Sequence, residues 1–221
     1  MGQSWLVETP HWPLFGLRVR SPKLEMRYVD DELAMALAEL AALGIHAPDT
    51  MPFSVPWSDV PSPQLERNTL LHLWRVRASH EVDDWHLPFA ALVDGEVVGT
   101  MSLLATRFAL LRSVRTGSWI GRAFHRRGFA TEMRSLLLHL GFVGLDAVEA
   151  TSGAFADNVG SLRVSEKLGY RANGSKLHPQ RDKPGRIIEL LLPRADWEVH
   201  RRDDIVIHGL EPCLEMLISS A

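Results

Sequence analysis

Leu24, Met26 and Tyr28 alternate with polar neighbours in LEMRY, the period of a strand with one buried face. The period then lengthens. In DDELAMALAELAAL, Leu33, Leu37 and Leu40 recur at helical spacing behind Asp30 and Asp31, either of which suits a helix N-cap, and Gly44 suits the stop. Residues 44–63 show neither period. Five prolines there share the segment with Met51, Phe53, Val55 and Trp57, which predicts an ordered surface loop of the kind that selects substrates. Ser62-Pro63 then heads a helix carrying Leu65, Leu70, Leu73, Trp74 and Val76.

FAALVDGEVVGTMSLLA is the clearest local signal: two β-rich apolar runs flank Asp94-Gly95, a dipeptide suited to a tight hairpin turn. A further strand covers part of SVRTGSWIGRAF. Met133, Leu136, Leu137, Leu140 and Phe142 then form a helical stripe, and AVEATSGAF is a short strand. DNVGSLRVSEKLGY predicts a helix ended by Gly169. YRANGSKL and RIIELLL predict two strands separated by the polar loop HPQRDKPG. The order β, α, α, β-hairpin, β, α, β, α, β, β fits an α/β (α+β) fold, a mixed sheet flanked by helices, and not a doubly wound parallel sheet.

Composition narrows the class. With 221 residues, 46% of them hydrophobic and 23% charged, the chain suits one sizeable globular domain that needs no metal or disulfide to hold it. Cys213 stands alone, which fits a reducing compartment. The net charge of −3 argues against a nucleic-acid partner. No apolar run is long enough to span a membrane, and Glu8 with Pro10 and Pro13 interrupts any signal-peptide pattern, so a cytoplasmic location is expected. The ten histidines show no HExxH or paired-cysteine spacing, so no metal is expected.

The chemistry concentrates in GRAFHRRGFATE, residues 121–132. A strand that turns sharply into a helix leaves the first N–H groups of that helix unpaired, and they and the helix dipole attract phosphate. Gly128 and Ala130 leave room for a pyrophosphate to approach the backbone, with Arg126 and Arg127 adding positive charge. Taken alone, the same arginines also read as a solvated basic turn. Neither GxxxxGK[ST] nor GxGxxG occurs.

HRRGFA and the stretch NVGSLRVSEKLGY, which begins at Asn158, together resemble the GCN5-related N-acetyltransferase (GNAT) superfamily and its Rim-type branch of ribosomal-protein N-terminal acetyltransferases. The first matches that family's acyl-CoA motif from Arg126 to Ala130 and departs at His125, where the family has Gln or Arg. The second matches the N-x-x-S-x-x-V-x-E-K-L-G-[FY] helix at each named position. The resemblance covers residues 18–197, leaving 1–17 as an N-terminal extension and 198–221 as an apolar tail that packs on the domain or on a second subunit.

The resemblance implies the GNAT N-acyltransferase fold, with a mostly antiparallel central sheet, and the transfer of an acyl group from acyl-CoA to a primary amine. Acetyl-CoA is the default donor, succinyl-CoA is left open, and the amine belongs to a peptide N-terminus or a small molecule. It implies that Trp119, Ile120 and Gly121 pair with the pantetheine arm and that the backbone from His125 through Arg126, Arg127, Gly128, Phe129 and Ala130 to Thr131 holds the pyrophosphate. Asn158 orients the cofactor arm, or simply caps its helix. Ser161 is the candidate acid for the departing sulfur; many relatives use a tyrosine four residues later, where this chain has Ser165. For the base, the family's carboxylate register falls on Gln180, which cannot take a proton. His178, read as a loop residue, and Asp182 are near neighbours and Glu189 lies on the next strand; deprotonation through water without one dedicated base stays open. A succinyl donor would draw on the basic residues His46, His178, Arg181 and Lys183. Arg201-Arg202 with Asp203-Asp204 reads as a self-neutralised surface patch. A homo-dimer or higher homo-oligomer is expected. The alternative to the enzyme is a non-catalytic acyl-CoA-binding regulatory protein on the same fold.

Overall fold

A computed structural model describes residues 10–219; residues 1–9 of the expected N-terminal extension and the last two of the tail lie outside the described residues. The strands are β1 (Arg18–Arg20), β2 (Glu25–Tyr28), β3 (Trp85–Val93), β4 (Glu96–Ala105), β5 (Ser113–Ile120), β6 (Glu149–Phe155), β7 (Arg171–Gln180), β8 (Lys183–Pro193) and β9 (Val206–His208). They form one sheet in the order β7-β8-β6-β5-β4-β3-β2-β1-β9. Every neighbouring pair is antiparallel except β5 and β6, which run parallel.

The helices are α1 (Asp31–Ala42), α2 (Gln64–Ala78), α3 (Phe108–Leu111), α4 (Phe129–His139), α5 (Val159–Lys167), α6 (Arg194–Glu198) and α7 (Leu214–Leu217). α1 and α2 bury Ala34, Leu37 and Leu73 with Val29, Ala90 and Leu92, and Trp119 packs at the margin of that cluster. α4 buries Met133, Leu136, Leu137 and Leu138 in a separate, larger core with Leu87, Phe89, Met101 and Leu103. Burying a large aliphatic or aromatic side chain contributes roughly 1.5–3 kcal/mol, so these two cores fix where the sheet sits between its helices.

Local chemistry explains most boundaries. Asp30 Oδ1 accepts the Leu33 N–H at 2.8 Å and caps α1, and Gly44 at φ +104° ends it. Asp94 and Gly95 both have positive φ, at 50° and 85°, as a two-residue hairpin turn requires. Gly169 stops α5 at φ +86°. Two expectations change. No side chain caps α2; Pro63 is its N-cap residue. The segment HPQRDKPG is not a loop: β7 and β8 pair through it, Gln180 against Lys183, leaving only Arg181 and Asp182 to turn. A long cross-strand ladder outweighs local polarity, so His178 lies on β7.

The chain after Trp197 packs on the same body. β9 pairs with β1 from Arg18↔His208 to Arg20↔Val206, and Ile205, Cys213 and Leu217 join the main core. The Cys213 thiol donates to Gly209 O at 3.1 Å, and burial pushes its pKa up to about 12.

Candidate active site

β5 and β6 pair for only three residues, Ser113↔Glu149, Val114↔Ala150 and Arg115↔Thr151. Beyond that point β5 follows β4 as far as Ile120, whereas β6 follows β8 as far as Phe155. Because their shared ladder stops there while each strand runs on beside its other neighbour, the two parallel strands part toward their carboxyl ends and leave a wedge. At its apex the Ser152 hydroxyl donates to Thr116 O at 3.2 Å, a side-chain bond where a ladder bond would otherwise continue. From Thr116 to Ile120 one edge of β5 has no strand beside it among the described residues.

The residues after β5 turn sharply at the mouth of this wedge. The Arg122 N–H donates to Gly44 O at 2.9 Å, and His125 Nε2 lies 3.0 Å from Ile120 O, so the histidine that replaces the family's Gln or Arg ties the turn back to the strand end. Arg126 has φ +63° and Gly128 φ +80°. The left-handed backbone at Gly128 turns the chain into α4, and no side chain of the described residues caps the helix start. The first bond within the helix runs from Glu132 N–H to Gly128 O at 3.2 Å, so the N–H groups of Phe129, Ala130 and Thr131 have no backbone acceptor among the described residues.

The charges nearby add to the dipole rather than oppose it. Lys23 Nζ lies 5.9 Å from the Phe129 ring centroid and 3.1 Å from where a Cβ on Gly128 would stand. Arg127 sits over the Phe124 ring at 5.5 Å. Glu132, buried in the first turn of α4, would weaken this positive field, but Arg202 Nη1 donates to both its oxygens at 2.9 Å. Burial is the largest single influence and disfavours the charged form of Glu132, but hydrogen bonds from Arg202 and Ser21, together with the charges of Arg202 and Lys23, hold the carboxyl below its ordinary value. Arg202 also pairs with Asp204, so the tail residues are partly self-neutralised as expected from sequence, but the patch reaches α4 as well.

On the other wall of the wedge, Asn158 Oδ1 accepts the Ser161 N–H at 3.2 Å and caps α5. Ser161 is half-buried, and no hydrogen bond of the described residues uses its Oγ. Ser165 is fully buried instead: its Oγ accepts from Arg134 Nη1 at 2.6 Å and donates to Ser161 O at 3.1 Å.

The third wall is the 44–63 loop. Aromatic rings run along it in contact, His46 to Phe53 (5.7 Å), Phe53 to Trp57 (5.2 Å) and Trp57 to Trp119 (6.0 Å). The tip of the β7–β8 hairpin clasps this loop. His178 Nε2 lies 3.0 Å from Ser54 O, Gln180 Nε2 donates to Met51 O at 2.8 Å, and Arg181 pairs with Asp59 through two bonds of 2.7 and 2.8 Å. Sequence reasoning did not find this clasp, because its partners lie more than a hundred residues apart.

The candidate bases are therefore held. His178 packs beside Phe155 with centroids 6.2 Å apart and keeps only Nδ1 free of its contact with the loop. Glu189 lies on β8 with Lys176 Nζ at 2.6 Å and Arg115 at 3.8 Å. Gln180 also reaches Asp157, at 3.1 Å, which brings a carboxylate from the turn before α5 to the position where the sequence has an amide. Of the basic residues named for a succinyl donor, His46 lies 2.7 Å from Ser58 Oγ and Arg181 is committed to Asp59, while Lys183 starts β8 at the far tip.

The sequence model of the acetyltransferase (GNAT) domain matches residues 23–171, and the chain belongs to that family. Among curated proteins, the Probable N-acetyltransferase YjcK of Bacillus subtilis (strain 168) is 27% identical over 92 residues, 42% of this chain and 51% of that relative. The chain thus spans about half the length of the curated relative it matches. RimL, a ribosomal L7/L12 α-N-protein acetyltransferase solved with coenzyme A, superposes with a TM-score of 0.66 at 17% identity, over 78% of this chain and 95% of RimL. Spermidine N-acetyltransferase from Vibrio cholerae, solved with CoA and spermine, gives 0.62 at 12% identity, over 80% and 98%. At such identities these two likenesses speak for the fold.

Proposed function

We propose that this chain is an acyl-CoA-dependent N-acyltransferase of the Rim-type branch, which acylates a primary amine by direct attack on the thioester. One observation carries this reading: the free edge of β5 is followed, through one tight turn, by a glycine-led helix start whose first N–H groups have no backbone acceptor or side-chain cap among the described residues. The edge from Trp119 to Gly121 suits an extended amide-bearing arm, and residues 125–131 suit its pyrophosphate. The relatives' acceptors are a ribosomal protein and spermidine, so the acceptor class stays a peptide α-amino group or a small amine. Acetyl-CoA is the default donor and succinyl-CoA the open alternative. The reading includes a homo-oligomer in the cytoplasm, with no nucleic acid, membrane or metal partner.

In the reaction, the amine nitrogen attacks the carbonyl carbon, a C–N bond forms and the C–S bond breaks. One proton leaves nitrogen and one reaches sulfur. A backbone N–H at the end of β5 polarises the carbonyl, a contact that contributes roughly 3–4 kcal/mol in enzymes that use it. Ser161 Oγ, uncommitted on α5, serves the departing sulfur, and Asn158 holds the turn that presents it. His178 Nδ1 takes the amine proton directly or through water; Glu189, between two cations, is the weaker candidate.

Thiol release from acetyl-CoA and succinyl-CoA across a panel of primary amines and peptide N-termini tests the proposal. Turnover with any amine supports it, and failure to bind either thioester at millimolar concentration would sink it. The engagement of both candidate bases favours one second reading, a non-catalytic acyl-CoA-binding regulator. Tight binding with no turnover across the whole panel would select that reading.

A further inference from the structure

Behind the wedge lies a charge that the proposed chemistry does not use. Arg134 projects from α4 into the protein and is 3% exposed. Among the described residues no carboxylate lies within ion-pair distance of it. One nitrogen meets Ser165 Oγ at 2.6 Å, the guanidinium stands 5.9 Å from the Tyr170 ring centroid, and Nε has no hydrogen-bond partner. Burial lowers its pKa, but an arginine stays protonated in any case. Burial likewise raises the Tyr170 hydroxyl's pKa, so no counter-charge comes from that side. Tyr170 lies next to Thr116, yet neither its hydroxyl nor Thr116 Oγ1 completes a hydrogen bond of good geometry.

An uncompensated buried charge is costly, and apolar residues of similar volume commonly replace such groups with no loss of stability. Groups kept at a cost to the fold cluster where function needs them. This one sits at the wedge. Thr116 and Ser152 mark its apex, and Ser165 lies one turn beyond Ser161 on α5, to whose carbonyl its hydroxyl donates at 3.1 Å. The unbroken chain Arg134–Ser165–Ser161 O therefore links the helix that begins at the pyrophosphate loop to the helix turn bearing the candidate acid.

We propose that Arg134 is a positioning residue for acyl transfer: through Ser165 it fixes the turn of α5 that presents Ser161 to the wedge and keeps a positive charge beneath it. This rests on the N-acyltransferase reading and on Ser161 as the group serving sulfur. Arg134 itself touches neither substrate. The Ser165 hydroxyl is spoken for on both sides, so the polar atom one turn along from Ser161 acts as a strut between the two helices.

The test uses Arg134→Met, Arg134→Lys, Ser165→Ala, Ser161→Ala and the Arg134→Met/Ser161→Ala double variant. Acetyl-CoA is the donor, with the best amine from the panel above. Arg134→Met is expected to keep its thermal midpoint and to bind CoA within twofold of the parent. Its kcat should fall at least tenfold with KM for acetyl-CoA little changed, Arg134→Lys should restore part of that loss, and Ser165→Ala should fall with it. The double variant should be no worse than Ser161→Ala alone, since both act through one group. Hydrogen exchange at residues 161–165 should quicken in Arg134→Met while the first turn of α4 is unaffected. A kcat within twofold of the parent in Arg134→Met, or losses that multiply in the double variant, overturns the inference. If Arg134→Met does not fold, Ser165→Ala decides by the same criteria. Full activity in Ser161→Ala removes the acid assignment and this inference with it, whereas loss in Ser161→Ala with intact Arg134→Met removes this inference alone. Should the parent show no turnover, the enzyme reading fails, and unchanged exchange at 161–165 would still refute the strut.

Discussion

Arg202, in the chain after α6, grips both oxygens of Glu132 in the first turn of α4, 70 residues earlier in sequence. The contact cancels a negative charge at the helix end proposed to hold phosphate, and it fastens the tail to that helix. Arg202→Ala should leave Glu132 largely buried, with only the Ser21 hydroxyl and the Lys23 charge to support it. It is expected to lower CoA affinity about fivefold to tenfold at low salt, less at high salt, and to cost about 1–2 kcal/mol of stability after allowance for the partly exposed Arg202. Adding Glu132→Gln should recover most of the affinity. Titration calorimetry at two salt concentrations checks both outcomes.

Gly128 carries the turn into α4 at φ +80°, a conformation that costs an L-residue about 1–2 kcal/mol. A Cβ there would also meet Lys23 Nζ at 3.1 Å, although a lysine tip can move aside. Gly128→Val is therefore expected to weaken CoA binding at least tenfold while the fold survives, because its neighbours in the turn are already exposed. A binding isotherm beside a thermal melt separates the two effects.

The hairpin clasp should matter to the amine rather than to the thioester. Arg181→Ala breaks an exposed ion pair with Asp59, which solvent screens, so global stability should change little. It should nevertheless loosen the loop that carries Phe53 and Trp57. The expected result is a KM for the amine raised several-fold, an unchanged Kd for CoA and faster hydrogen exchange over residues 51–59.

Acid should destabilise the protein before its carboxylates titrate. Burial, with a smaller contribution from His72, depresses His86 from 6.5 to about 4; the neutral ring lies 2.7 Å from Ser102 Oγ. Burial also lowers His72, whose ring is 5.9 Å from that of His86. Below pH 6.5 the unfolded chain takes up protons that the folded chain refuses, so stability is full above 6.5 and falls until about pH 4. The thermal midpoint should drop by about 5 °C or more between pH 7 and 4.5, and His86→Gln should flatten that slope. Differential scanning calorimetry across this range gives the answer.

Much of this was legible along the chain. Asp30, Gly44, Asp94-Gly95 and Gly169 act within a few residues of themselves, so their caps and turns could be read where they stand. The motif at Gly128 was visible for the same reason, since a helix start is a local object. The length of β7 and β8 was not: HPQRDKPG looks like a loop until each strand lends the other its hydrogen bonds. The small strand β9 is equally silent in sequence, because three residues pair only once β1 is beside them.

The sequence by itself thus determined the order of the longer elements from β2 to β8, the turn into α4 and the two helices that flank the wedge, because each follows from spacing and backbone preference over short distances. Only the tertiary structure decided what those elements face. It set His178 against Ser54, Arg202 against Glu132 and Arg134 beneath Ser161's turn, since such pairings depend on which strands keep which neighbours after β5 and β6 part.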